Sequence, residues 1–406
     1  MHIAMFLDQH PRSLGGIQTS AMLQRKYLEK LGHKVTFVTP SSGKRLIERG
    51  FFTLPSWPLT FNWEYSFVAN ARRSRKRLDR SQRRRIDKFD LVHVQADMWG
   101  AIIGIGFAQR NKLPVVMTSH FNLAAGTQEV IGKYPSKFLF WLLSREFLKH
   151  IRLPLSGTTT DAWKYIQLIT DQVDVVLVPS GHFGRDLKAH GVTSELRVMH
   201  NGVDDERIEK TLASIQDEPH HTDKKIHLVW AGRFQHEKRL LEFIEAVHLA
   251  KLENVVVDVY GRGPLWKKAG ELISEYGMNR QILLHGMAPH ARMLAHFAKA
   301  DALVQTSVGF ETQGMTVYEA AAVGTPSILC DSNIAEEFDA GSHWVVPDSS
   351  VEALAKTLQT AIADIRSGDR RGDQLVGDEL LLQSGLTKRA VAIYEELLAK
   401  GGKYTS

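Results

Sequence analysis

The sequence predicts an α/β fold of two doubly wound domains facing each other across a cleft. Three observations lead there. Short apolar strands alternate with helical stretches through the first half, the alternation restarts after an Asn-Gly turn, and every candidate motif follows the end of a strand. Such alternation makes a parallel sheet covered by helices on both faces, and ligands bind such sheets at the carboxyl ends of the strands.

In the first half the strands read as Ile3–Leu7, Lys34–Val38, Leu91–Val94, Val115–Thr118 and Val175–Val178, with Thr19–Leu31 spaced as a crossover helix. The linker falls at Val198–Asp205, where the Asn201-Gly202 turn leads into an acidic, non-repeating segment reaching about Asp223. The second half supplies strands at Ile226–Trp230, Val255–Tyr260, Ile282–His285, Ala302–Gln305 and Ser327–Leu329. The tail Asp378–Lys400 has helical periodicity that leaves its packing partner open. The expected division is 1–203, 204–380 and a C-terminal helix in 381–406, the first domain being one choice for the surface it covers.

Composition sets the class. A chain of 406 residues that is 43% hydrophobic can bury two ordinary cores, and 24% charged residues argue against global disorder. Cys330 is the single cysteine, which excludes an internal disulfide framework and a cysteine zinc site and suits a reducing compartment. The stretch Met1–Asp8 is too short an apolar run, without basic flanks, to be a signal peptide, and reads as a buried first strand. No run of about eighteen apolar residues is present, so no membrane span is expected. The net charge of +6 is localised: Ala71–Lys88 holds ten Lys/Arg against two Asp, a local +8, so the rest of the chain carries −2.

The most informative motif is the stretch from Gly309 to Pro326, with Glu311 and Glu319 eight positions apart across Gly314. The segment after Gly314 reads as a helix stopped by Gly324 and Pro326, with Met315 and Glu319 on one face near its start. A helix start offers free N–H groups and a positive dipole, suited to phosphate. Carboxylates before and inside it suit hydroxyl groups on either side of that phosphate, the layout of a nucleotide sugar. A surface loop before an ordinary buried helix accounts for the same residues.

Other motifs also end strands. Gly15 and Gly16 open a helix after the first strand and allow close approach of a phosphate or sugar, although a tight turn explains them equally well. The dinucleotide pattern Gly-x-Gly-x-x-Gly is absent there, which counts against a nicotinamide enzyme. His120 follows Val115–Thr118 and is placed to donate to a sugar hydroxyl, though with 18 histidines a lone one is more often structural. Arg233 and Lys238 supply a planar fork and a point charge for a diphosphate, against the simpler reading of a solvated charged loop. Arg262 and Met287 follow the next two strands, where a nucleotide base would lie.

Taken together these residues resemble the family 4 glycosyltransferases, retaining nucleotide-sugar enzymes of the GT-B fold, with two Rossmann-like domains. The resemblance covers nearly the whole chain, and its most specific motif is the glutamate pair with seven residues between, here Glu311 and Glu319. It implies that Glu311 contacts the donor sugar, Glu319 holds the ribose hydroxyls, and Arg233 and Lys238 clamp the diphosphate. Gly16 would face the donor phosphates, His120 the donor sugar, and the Gly314–Thr316 backbone, Met315 included, would complete the cradle. The implied reaction is hexose transfer with retention from a UDP-hexose or GDP-mannose, UDP-sugar being slightly favoured, with no separate cofactor. No Asp-x-Asp pair occurs in the chain, so no metal is expected, and cations with the helix end would neutralise the leaving diphosphate.

Two segments bear on the acceptor. Arg72–Lys88 reads as a basic helix of the kind that attracts anionic lipid, at roughly 1 kcal/mol per Lys or Arg near the surface. Phe138–Leu148, with Trp141, suits either an interfacial helix or a buried crossover helix with snorkelling cations. Similar features occur in family members that glycosylate lipids, such as diacylglycerol glucosyltransferases and phosphatidylinositol mannosyltransferases. A lipid acceptor on the cytoplasmic face of the membrane is therefore the leading expectation, with no nucleic-acid partner. The alternatives are a soluble acceptor (a polysaccharide or small polyol) and a non-catalytic nucleic-acid or membrane scaffold on the same fold.

Overall fold

The computed structural model describes residues 1–11, 13, 16–41, 49–58, 66–68, 71–84, 87–120, 123, 127, 132–215, 225–369, 371–372, 375 and 377–405. The chain divides into Met1–His200 with Leu386–Ser406, and Asn201–Gly385.

In the first unit a seven-stranded sheet runs in the order β3-β2-β1-β6-β7-β8-β9. The strands are β1 (His2–Leu7), β2 (Lys34–Pro40), β3 (Phe51–Leu54), β6 (Leu91–Gln95), β7 (Val115–Thr118), β8 (Val175–Val178) and β9 (Leu196–Val198). All pairings are parallel, with Ile3 opposite Val35 on one side and Leu91 on the other. A short antiparallel ribbon joins β4 (Ser56–Pro58) to β5 (Ser66–Val68). Strand alternation sorts the core: Ala4 and Phe6 of β1 enter one apolar cluster, Ile3, Met5 and Leu7 the opposite one. The inner strands are buried on both faces, so they read as largely apolar runs rather than alternating ones.

The second unit repeats the plan with six parallel strands in the order β12-β11-β10-β13-β14-β15. These are β10 (Ile226–Ala231), β11 (Val255–Tyr260), β12 (Ile282–Gly286), β13 (Ala302–Gln305), β14 (Ser327–Leu329) and β15 (His343–Val345). Leu228 and Trp230 face one cluster, Val229 the other.

The last helix, Gln383–Lys400, lays Leu386, Ala390, Ile393, Tyr394 and Leu397 against Ile3, Met5 and Phe37 of the first unit. Spacing of three and four places these side chains on one stripe. Strands β3, β9 and β15 and the ribbon are absent from the sequence reading. They are three or four residues long and sit at or near sheet edges, with several partly exposed positions such as Trp57, 64% exposed.

The helix Lys133–Ile151 has one buried and one exposed face. Phe140, Leu143, Phe147 and Ile151 are buried, while Tyr134 (81%) and Phe138 (65%) are exposed and Trp141 is partly so. Phe138 stacks on Trp141 with centroids 5.8 Å apart, and Arg145 lies over the indole at 5.3 Å. The basic helix spans Ala71–Arg84; Leu78 and Ser74 face inward, and Arg72, Arg73, Lys76, Arg77, Arg80, Arg83 and Arg84 are exposed. Arg85 lies outside the described residues.

Candidate active site

The site in the second unit is built from the loop that links β13 to the helix Met315–Ala322. Trp230, buried near the end of β10, donates its indole N–H to Thr306 Oγ1 at 2.9 Å. The Thr306 hydroxyl donates in turn to the backbone oxygen of Lys238 at 2.6 Å. One hydroxyl thus fixes the charged loop after β10 against the loop after β13. Lys238 Nζ then donates to Glu311 Oε1, and Ser307 Oγ donates to the same oxygen at 3.2 Å. The Lys238 ammonium also lies 5.7 Å from the centroid of Phe310.

The loop carrying Glu311 is pinned at both ends. Ser307 N–H donates to Gln305 Oε1 at 2.9 Å, and Gly309 N–H to Asp331 Oδ2 at 2.7 Å. Gln313, 2% exposed, accepts from Asn201 N–H and Nδ2 at 2.9 and 2.7 Å and donates back to Asn201 O at 3.0 Å. Gly314 then turns into the helix at φ 78°, a left-handed conformation that a side chain resists. Among the described residues no side chain caps that helix start, which leaves its first N–H groups facing the loop.

Glu319, one turn into the helix, accepts from His290 Nε2 at 2.6 Å, and His290 Nδ1 accepts from Arg207 Nη1 at 2.5 Å. Neither partner is visible in the sequence: His290 stands 29 residues before Glu319 and Arg207 a further 83 before His290. The Pro289-His290 step marks a helix start but carries no sign of what the imidazole meets.

Arg233 is elsewhere. Its side chain is 64% exposed and its Nη2 donates to Glu237 at 3.4 Å, whereas Lys238 pairs with Glu311. Arg262 is exposed and lies over Trp266 at 5.3 Å; Met287 is 77% exposed at the end of β12. Their loops are stitched by backbone bonds, Gly232 N–H to Tyr260 O at 3.0 Å and Gly261 N–H to Gly286 O at 2.8 Å. Gly261 is required there: at φ 138° a Cβ would stand 1.8 Å from Gly232 O. Among the described residues no group of three His, Cys, Asp or Glu is arranged to hold a metal ion.

In the first unit His120 is 7% exposed, two residues past β7, and burial pushes its imidazole down to about 4. On the neighbouring strand His93 Nε2 meets Thr118 Oγ1 at 2.7 Å, and its Nδ1 meets the Tyr394 hydroxyl at 2.8 Å. Gln24 Nε2 donates to the same hydroxyl at 3.3 Å, and Gln95 donates to Gln24. Fully buried, His93 is pushed down to about 3. Asp8, at the end of β1, accepts from the N–H groups of Asp97, Met98 and Gly100 at 2.9, 3.0 and 2.7 Å, so it holds the start of the helix Trp99–Asn111. Gly16 is the exposed first residue of the helix Gly16–Lys30, and among the described residues nothing beyond its own chain neighbours and helix backbone lies within 4 Å of where its Cβ would be; Gly15 lies outside the described residues, as do Phe121, Asn122 and 124–126.

Comparison with known proteins agrees with this plan in two consecutive parts. Residues 14–207 match the model of Glycosyltransferase Family 4, and residues 213–373 that of Glycosyl transferases group 1. The chain is 23% identical over 350 residues to an alpha-monoglucosyldiacylglycerol synthase of Acholeplasma laidlawii, covering 83% of this chain and 82% of that protein. It is 24% identical over 338 residues to the protein of the same name from Streptococcus pneumoniae, covering 81% and 70%. Among solved structures it resembles a sucrose-phosphate synthase from Thermosynechococcus elongatus, with TM-score 0.71 at 17% identity over 98% and 100% of the two chains. It also resembles Anabaena HepE in complex with UDP, with TM-score 0.68 at 15% identity over 98% and 100%.

Proposed function

The chain belongs to the glycosyltransferases, its halves matching the family 4 and group 1 modules in order, and on that premise we propose that it moves a hexose from a nucleotide diphosphate sugar to a membrane lipid, with retention. One observation carries the reading. Glu311, Lys238 and the helix start at Gly314 converge on a single pinned loop at the carboxyl end of β13.

In this reading Lys238 turns from Glu311 to the leaving diphosphate, whose developing charge is also met by the N–H groups of Met315 and Thr316. Arg233, exposed and only weakly held by Glu237, swings in as the second cation. Glu311 then accepts from a hydroxyl of the donor sugar and Glu319 from the ribose. Arg262 and Met287 flank the base. His120 as a contact of the transferred sugar, and Gly16 of the donor phosphates, follow from the family resemblance. Neutralisation by cations and N–H dipoles makes transfer independent of a divalent ion.

A lipid acceptor is supported by the surface of the first unit together with the relatives, which are named as alpha-monoglucosyldiacylglycerol synthases. No helix among the described residues is long and apolar enough to cross a membrane. The Tyr134, Phe138 and Trp141 face and the exposed arginines of Ala71–Arg84 instead suit the headgroup region of an anionic leaflet. The proposed setting is peripheral, on the inner face of the cell membrane, with diacylglycerol or a glycolipid as acceptor and UDP-hexose as donor ahead of GDP-mannose.

The test supplies labelled UDP-glucose and GDP-mannose to the protein on vesicles of diacylglycerol and anionic lipid. The expected product extracts into organic solvent and keeps the donor's anomeric configuration. An inverted product overturns the retaining assignment; label confined to the aqueous phase overturns the lipid acceptor. Reversing Arg80, Arg83 and Arg84 to Glu is expected to reduce sedimentation with the vesicles, and unchanged sedimentation removes the membrane role of that helix.

A further inference from the structure

Glu319 is not a free carboxylate waiting for a ligand. Its Oε1 is held by His290 Nε2 at 2.6 Å, and the imidazole is held on its far side by Arg207 Nη1 at 2.5 Å. A guanidinium has only donors, so Nδ1 of His290 must be the bare, accepting nitrogen. The ring proton is thereby forced onto Nε2, where it points at Glu319. The guanidinium fixes the tautomer, and the tautomer fixes the carboxylate.

The three side chains come from three helices, Asp205–Ile215, His290–Lys299 and Met315–Ala322. Those helices share one apolar cluster through Ile208, Leu294, Phe297, Val317 and Tyr318, so the relay is set on packed elements rather than on loops. Glu319 is 13% exposed and His290 43%, which leaves the imidazole edge at the mouth of the site.

We propose that His290, backed by Arg207, is a positioning residue that dedicates one oxygen of Glu319 to the protein and turns the other toward the ribose diol of the nucleotide. This rests on the reading of Glu319 as the ribose ligand and adds what that reading lacks, a reason for the carboxylate to be preorganised. Binding to a preset carboxylate avoids the ordering cost that a free side chain would incur on association. His290 therefore acts on affinity for the nucleotide and on discrimination at its ribose, while leaving turnover at saturating donor alone.

The experiment measures binding of UDP and of 2′-deoxy-UDP by calorimetry to the parent protein, His290→Ala, His290→Gln, Arg207→Met and Glu319→Ala. The parent is expected to prefer UDP, and His290→Ala to bind UDP roughly tenfold or more weakly while losing most of that preference. His290→Gln, whose amide N–H can reach the same carboxylate, is expected to recover part of both, and Arg207→Met to fall between. In steady state, donor KM rises in His290→Ala with kcat within about twofold of the parent. Equal UDP affinity in His290→Ala and parent, or a loss of kcat with KM unchanged, overturns the proposal. If His290→Ala fails to fold, His290→Gln and Arg207→Met carry the same comparison. Failure of the underlying reading looks different: Glu319→Ala then binds UDP as well as the parent does.

Discussion

Lys238 and Glu311 neutralise each other within the second unit, the ammonium donating to Oε1 with the two side chains only 17% and 16% exposed. If Lys238 meets the donor diphosphate as proposed, the diphosphate and Glu311 compete for one cation. Opposite effects of two substitutions are expected. Glu311→Gln leaves the ammonium available and raises affinity for UDP by up to about tenfold, roughly 1.4 kcal/mol, while turnover falls. Lys238→Met lowers turnover by about 10²-fold or more, as loss of a group that stabilises developing charge does. Calorimetry and steady-state transfer rates separate the two, and parallel losses in both variants would contradict the competition.

Thr306 joins Trp230 to the Lys238 backbone through one hydroxyl. Thr306→Val keeps the shape but leaves the indole N–H and the Lys238 carbonyl without that partner. A cost of about 1–3 kcal/mol is expected for each buried group left unmade, read as a lower urea midpoint, together with weaker UDP binding because Lys238 is no longer held.

Gly314 combines a left-handed backbone with a crowded neighbour, since a Cβ there meets Ile334 Cδ1 at 3.1 Å. Gly314→Ala is expected to destabilise by about 1–2 kcal/mol from the backbone term alone, seen as a lower thermal midpoint. An unchanged midpoint would mean that the loop relaxes to another turn.

Three histidines of the first unit should make it acid-labile. Burial pushes His93 down to about 3 and His120 and His150 to about 4, from an ordinary value near 6.5. Below pH 6.5 the unfolded chain takes up protons that the folded one refuses, so stability falls as the pH drops from about 6.5 toward 4. Asp8 and Asp97 act in the opposite sense, because burial raises them and the folded state protonates first. Comparing the parent with His150→Gln cancels the carboxylates. The variant should lose stability less steeply, by about 1.4 kcal/mol per pH unit, in urea titrations between pH 6 and 4.5. Identical slopes would remove His150 from the account.

Much of the fold was legible because β7, β8, β11, β13 and β14 are largely apolar runs, and their ends coincide with the expected ones. Short strands such as β9 and β15 were not, since three residues at an edge carry no periodicity. The Glu311–Glu319 pair was readable because Gly314 parts a loop from a short apolar helix stopped by Gly324 and Pro326, which puts one carboxylate before the helix and one a turn inside it. The neighbours of those glutamates were not, because Ser307, Thr306 and His290 are ordinary polar residues whose meaning comes from strand order. The Asn201-Gly202 step read only as a turn, yet Asn201 closes the Gln313 end of the site loop. Arg233 shows the converse: a charge placed at a strand end by sequence turns outward to Glu237.

The helix Gln383–Lys400 finishes the core of a unit whose other elements precede residue 200. During vectorial synthesis the second unit, a continuous stretch, emerges whole before the first can close. Until the ribosome has released Tyr394, His93 lacks the hydroxyl that meets its Nδ1, and Ile3, Met5 and Phe37 lack their cover. A chain ended between Gly385 and Tyr394 would therefore carry every element of the second unit and lack the helix that covers the first.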